Sequence, residues 1–144
     1  MSDSPILLIE DNPTDIELAR RAFGRERLVV AEDGDEAMAY LWGRARDTIG
    51  MPALTLLDLK LPGCSGIEVL RQLRADARTQ RIPVVVLSSS SEESDIAAAY
   101  DAGANSYIRK PVDYRKFVKA VEQLVAYWLH LNERPPITAG RPER

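Results

Sequence analysis

Short strand-like runs alternate with longer stretches of helical spacing along the whole chain, and this alternation leaves few ways to fold. Ile6–Ile9 is wholly apolar and bounded by Pro5 and Glu10, the pattern of a strand buried on both faces. Leu28–Ala31, residues 53–57, residues 84–87 and Ser106–Arg109 are the next four runs. Helical signals fill the intervals. Asn12 offers an N-cap, Pro13 a first helical position and Asp15 a first-turn acid,. Ile16, Ala19, Ala22 and Phe23 then recur at helical spacing before Gly24,. Asp33-Gly34 leads into a helix with Ala37, Met38, Leu41 and Trp42 on one face. Ser65 and Glu68 have capping-box spacing, so a helix starts there, with Ile67, Leu70 and Leu73 inward,. Ser91 is the predicted cap of a helix over 92–102 closed by Gly103. Asp113 caps the last helix, with Phe117, Val121, Leu124, Val125 and Trp128 inside. Residues 43–52 read as a loop, and residues 132–144, rich in proline, as a flexible tail after one domain over 1–131,. Five strands, each followed by a helix, predict an α/β fold with a parallel sheet covered on both faces.

That architecture gives the polar residues at the run ends their meaning. Glu10-Asp11 follows the first run, Asp58 the third, Ser88 the fourth, and Lys110 the fifth. In an open parallel sheet all these ends meet one edge, where ligands bind. Crowded carboxylates repel, and a hard divalent cation among them relieves the repulsion. Three carboxylates and one ammonium in one crevice therefore predict a metal site with phosphate chemistry.

Composition narrows the partners. With 144 residues the chain is long enough for one domain with a real core,. The net charge of −3 argues against nucleic acid, whose phosphates need a basic stripe,. The single Cys64 excludes an internal disulfide, and Cys64 and His130 have no partners in sequence for zinc or a catalytic dyad,. The N-terminus lacks the basic and apolar regions of a signal peptide, and no run approaches the ~20 apolar residues of a membrane span. A cytoplasmic protein acting away from membranes is the expectation.

As a set, the motifs resemble the receiver domains of two-component response regulators. The matching pieces are Ile9-Glu10-Asp11-Asn12, Leu57-Asp58-Leu59-Lys60-Leu61-Pro62, Gly66, Leu87-Ser88, Gly103-Ala104 and Tyr107-Ile108-Arg109-Lys110-Pro111. Intervals of 30 positions from Asp58 to Ser88 and 22 from Ser88 to Lys110 suit that family. The resemblance implies a flavodoxin-like (βα)5 sandwich with strand order 2-1-3-4-5. It makes Asp58 the phosphoryl acceptor and Asp11 a direct Mg²⁺ ligand, with Glu10 acting through water and the Lys60 backbone carbonyl as a third protein ligand. Lys110 pairs with the phosphoryl group, Ser88 gives it a hydroxyl, and Tyr107 is an aromatic switch. A cis Lys110-Pro111 bond is also implied. Lys60 and Ser90 occupy positions that tune phosphoryl lifetime in the family.

A finer likeness lies in Glu10-Asp11-Asn12-Pro13-Thr14-Asp15, Asp76-Ala77-Arg78-Thr79, Gly103-Ala104-Asn105-Ser106-Tyr107 and Tyr127-Trp128-Leu129. These are similar to single-domain regulators partnering phytochrome-type histidine kinases, which implies a bacteriophytochrome as donor. The chain ends soon after the fifth helix, so the expected output is protein contact or phosphorelay, and the long apolar last helix predicts a homodimer. The protein is expected to be a phosphoacceptor rather than an enzyme. An aspartyl phosphatase needs a second Asp two positions after the first, where Lys60 stands. A nucleotide or flavin domain is disfavoured by the lack of GxGxxG and GxxxxGK[ST]. A phosphate-independent scaffold is the remaining alternative, although acceptor, lysine and acid pair are all present.

Overall fold

The computed structural model describes residues 4–24, 26–43 and 50–136. Among the described residues strands and helices alternate: β1 (Ile6–Ile9), α1 (Pro13–Phe23), β2 (Leu28–Ala31), α2 (Gly34–Trp42), β3 (Leu54–Leu57), α3 (Gly66–Ala75), β4 (Val84–Ser88), α4 (Glu93–Asp101), β5 (Ser106–Arg109) and α5 (Tyr114–Val125). All neighbouring strands pair parallel, in the order β2-β1-β3-β4-β5. This is the flavodoxin-like architecture expected from the sequence.

Period-two alternation divides the core between the two faces of the sheet. Leu7, Ile9, Leu57 and Val84 pack with Ala37, Leu41, Leu70 and Leu73 of α2 and α3. Ile6, Leu8, Leu56 and Val85 pack with Ala19 and Phe23 of α1 and Phe117, Val121 and Leu124 of α5. A smaller cluster of Leu59, Val86 and Ala99 seats α4, and the Tyr107 ring packs against it. Each fully buried Leu or Ile contributes about 1.5–3 kcal/mol, so the two large clusters hold the sheet and its covering helices together. One polar atom runs against this pattern: the buried Thr55 hydroxyl has no hydrogen-bond partner among the described residues.

The caps explain most helix starts. Asn12 accepts from Asp15 N, Asp33 from Glu36 N, Ser65 from Glu68 N and Asp113 from Arg115 N. The predicted Ser91 cap is not formed. Glu92 occupies the N-cap of α4 without a side-chain bond. Ser90 does the local work instead, accepting from Glu92 N at 3.2 Å and donating its hydroxyl to Asp95. Ser90 thus ties the residue before α4 to Asp95 in its first turn.

The last helix does not stop at Val125. It continues as a π-helical segment over Ala126–Leu131, closed by Asn132 N donating to Tyr127 O at 2.7 Å. Trp128 and Leu129 pack partly against the α1–α5 core, while Tyr127 and Leu131 are exposed. Beyond it, Arg81 donates to the Pro136 carbonyl at 3.1 Å. Residues 44–49 of the predicted loop and 137–144 of the predicted tail lie outside the described residues.

Candidate functional site

Register brings the site together. Ile9 pairs with both Ala31 and Leu57, so β1, β2 and β3 end level. Backbone bonds then carry this alignment one residue further. Glu10 N donates to Ala31 O at 2.9 Å, Asp58 N to Ile9 O at 3.0 Å, and Lys110 N to Ser88 O at 2.7 Å. The residue after each strand is thus fixed by its neighbour, which is why separate parts of the chain present side chains at one edge.

Glu10, Asp11 and Asp58 each place a carboxylate oxygen within 4.8 Å of the others. Glu10 and Asp58 are buried, at 2% and 8% exposure, while Asp11 faces solvent. Such a set can hold a hard cation on one exposed side and keep an aspartyl oxygen beside it. Lys110 Nζ enters from β5. It lies 2.7 Å from Glu10 Oε1, 2.8 Å from Asp15 Oδ2 and 3.5 Å from Asp58 Oδ2. The Lys60 backbone N–H faces Asp58 Oδ1 at 3.4 Å, and the Lys60 residue is exposed.

The close packing shows in the acid–base properties. Burial pushes the Glu10 carboxyl up to about 7, Asp58's charge adds to the rise, and Lys110 opposes it,. Burial works against the charge of Lys110. Hydrogen bonds to Asp15 and Glu10, and the charges of Glu10 and Asp58, outweigh that cost and hold the ammonium above the ordinary lysine range. The lysine is therefore a permanent cation here.

Ser88 is buried at the end of β4, and its hydroxyl accepts from Ser90 N at 3.1 Å. Tyr107 is half-buried, with its hydroxyl donating to Ser90 O at 2.9 Å. Both thus hold the β4–α4 loop beside the carboxylates. Close behind Asp58, Gly66 N donates to Leu59 O at 2.8 Å, and a Cβ on Gly66 would lie 2.8 Å from Leu59 Cα. Only glycine permits that approach of α3 to the Asp58 loop.

One finding departs from the sequence reading and another extends it. The Lys110–Pro111 peptide is trans, as are all peptides among the described residues. The lysine is held by its own amide bond to Ser88 O and by its carboxylate partners, so its placement does not require a cis turn. Asp15 is the first-turn acid of α1 that the sequence predicts, and beyond that reading its carboxylate reaches Lys110. Its position at the start of α1, four residues after Asp11, was the available signal.

Comparison with known proteins shows the family. The family model of the response regulator receiver domain matches residues 6–122, and the chain belongs to that family. The probable methanogenesis regulatory protein FilR2 of Methanothrix harundinacea is 39% identical, over 90% of this chain and 86% of its own. The response regulator Rcp1 of Synechocystis is 35% identical over 86% of this chain and 88% of its own. The Mn(2+)-bound crystal structure of Rcp1 superposes with a TM-score of 0.84 at 33% identity, covering 92% of this chain and 99% of that one. The phosphorylated cyanobacterial phytochrome response regulator RcpA superposes with a TM-score of 0.88 at 38% identity, covering 94% of this chain and all (100%) of that one.

Proposed function

We propose that Asp58 accepts a phosphoryl group from a phosphohistidine of a phytochrome-type sensor histidine kinase, and that the protein signals through the resulting change in its β4–α4 loop. The observation that carries this reading is the placement of Asp58: buried, clustered with Glu10 and Asp11, and 3.5 Å from the Lys110 ammonium. An Asp58 oxygen attacks phosphorus, the phosphorus–nitrogen bond breaks, and the imidazole, already protonated on its other ring nitrogen, takes the bonding pair and leaves neutral. Catalysis by this chain is then positioning and electrostatics. Lys110 meets the charge that gathers on the phosphoryl oxygens.

The three carboxylates suit Mg²⁺, which takes oxygen ligands and keeps several waters,. Asp11 and Asp58 would ligate it directly, the Lys60 carbonyl would add a third protein oxygen, and Glu10 would act through water. When bound, the ion neutralises charge on the phosphoryl oxygens. The likeness to a manganese-bound regulator supports a divalent cation at this edge. The likeness to phytochrome response regulators supports the donor class.

A phosphoryl group adds about −1.5 to −2 charge. The Ser88 hydroxyl can donate to it while still accepting from Ser90 N, because a hydroxyl does both,. Ser88, Ser90 and Tyr107 form one hydrogen-bonded unit, so a shift at Ser88 is transmitted to Tyr107,. Exposed Tyr127 and Leu131 on the π-helical segment provide the surface for a homodimer with a second copy,. No described helix is long and apolar enough to cross a membrane, and a cytoplasmic protein meeting the kinase there fits the reading.

The test is incubation with acetyl phosphate and Mg²⁺ followed by intact-mass measurement. One added phosphoryl group is expected, absent from Asp58→Asn; a wild type that gains no mass, or an Asp58→Asn protein that gains it equally, defeats the reading. Light scattering that finds only monomers at tens of micromolar, with and without phosphate, would remove the dimer.

A further inference from the structure

The use of Asp15 cannot be explained by helix capping. In a capping box the third helical residue returns its side chain to the N-cap amide. Asn12 is the N-cap of α1 and Asp15 is that third residue, held by its own N–H to Asn12 Oδ1 at 3.0 Å. Yet the Asn12 amide donates to Glu10 Oε2 at 3.1 Å. Glu10 has taken the partner that Asp15 would otherwise hold. The Asp15 carboxylate is left to turn to Lys110 Nζ, 2.8 Å away, with only 22% of its side chain exposed.

An ammonium has three N–H donors. Glu10 Oε1 and Asp15 Oδ2 lie at hydrogen-bond distance from Lys110, and Asp58 Oδ2, at 3.5 Å, lies just outside it. We propose that Asp15 is a positioning residue: with Glu10 it engages two N–H bonds of Lys110 and so leaves the third aimed at the group carried by Asp58. The inference rests on reading Asp58 as the phosphoryl acceptor. It extends the site to the first turn of α1 and gives Pro13 a use, since a proline at the first helical position fixes the backbone that sets Asp15,.

Two measurements test it. The first is the ¹⁵N–¹H signal of the Lys110 side-chain ammonium, which is protected from rapid exchange only while its N–H bonds are held. It is expected in the wild type and in Asp15→Asn, which keeps an acceptor oxygen, and is expected to vanish in Asp15→Ala. The second is the rate of Asp58 phosphorylation at saturating acetyl phosphate and Mg²⁺. Asp15→Ala is expected to lower that rate about tenfold when Lys110 is present and to have no effect in a Lys110→Ala background. Asp15→Asn is expected to recover most of the loss. An unchanged ammonium signal in Asp15→Ala overturns the proposal, and so does an equal rate loss in both backgrounds, which would mark a general packing role. If the wild type is not phosphorylated at all, the acceptor reading fails, and the ammonium signal alone then decides whether Asp15 positions Lys110.

Discussion

Lys110 Nζ stands 2.7 Å from Glu10 Oε1, joining the ends of β5 and β1 across 100 positions of chain. The two strands are not neighbours in the sheet, because β3 and β4 lie between them. Only a long side chain reaching across the carboxyl edge can make this contact, and it neutralises part of a buried acidic cluster.

Removing that cation should cost stability in a pH-dependent way. Breaking a buried pair from one side destabilises by about 3 kcal/mol or more. Lys110→Ala is expected to lose about that much in urea unfolding at pH 8 without divalent cations. At pH 5.5 the loss should be smaller, because Glu10, with a folded value of about 7, is then largely protonated and little charge is left stranded. Equal losses at both pH values would contradict the assignment of Glu10 as the stranded charge.

Glu10 should also shape the pH profile of the wild type. Its folded value of about 7 stands above the ordinary 4.5, so folding takes up a proton between these limits. The contribution of Glu10 therefore favours the folded state less and less as pH rises from about 4.5 through about 7. Glu10→Gln is expected to flatten this part of the profile, measured by urea unfolding at one-unit intervals in chelator. A slope that persists unchanged in the variant would assign it to another group.

Gly66 should tolerate no side chain. An added Cβ would crowd the Asp58 carbonyl and Leu59 Cα. Gly66→Ala is expected to lose about 1–3 kcal/mol by overpacking and to slow labelling of Asp58 by acetyl phosphate. A variant with wild-type melting temperature and labelling rate would show that the loop yields freely.

The Tyr107 hydroxyl pins the β4–α4 loop through Ser90 O. Tyr107→Phe is expected to lose about 1 kcal/mol and to speed amide hydrogen exchange over residues 89–92. Unchanged exchange there would mean that the Ser90–Asp95 contact holds the loop alone.

Thr55 offers the opposite effect. Its buried hydroxyl has no hydrogen-bond partner among the described residues, and valine has nearly the same shape. Thr55→Val is expected to stabilise by about 1 kcal/mol, a rise of about 3 °C in thermal unfolding for a chain of this length. A fall in melting temperature would reveal a hydrogen bond to a buried water.

Much of this was legible along the chain. β1, β2 and β5 have the bounds read from the apolar runs, β3 and β4 differ by one residue, and the caps read at Asn12, Ser65 and Asp113 are formed. These features depend on residues within one or two turns of each other, so spacing alone reveals them. The convergence of Glu10, Asp11, Asp58 and Lys110 was legible too, because a parallel sheet sends all its carboxyl ends to one edge. Whether Ser90 or Ser91 serves the start of α4, the trans Lys110–Pro111 peptide and the π-helical end of the last helix were decided by packing. The partner of Asp15 was decided the same way. Its local sequence predicts only a first-turn acid, and the ammonium it binds arrives from 95 positions away. Local order follows from short-range sterics and hydrogen bonds, whereas the choice among several carboxylates for one buried cation exists only after the sheet has set their distances.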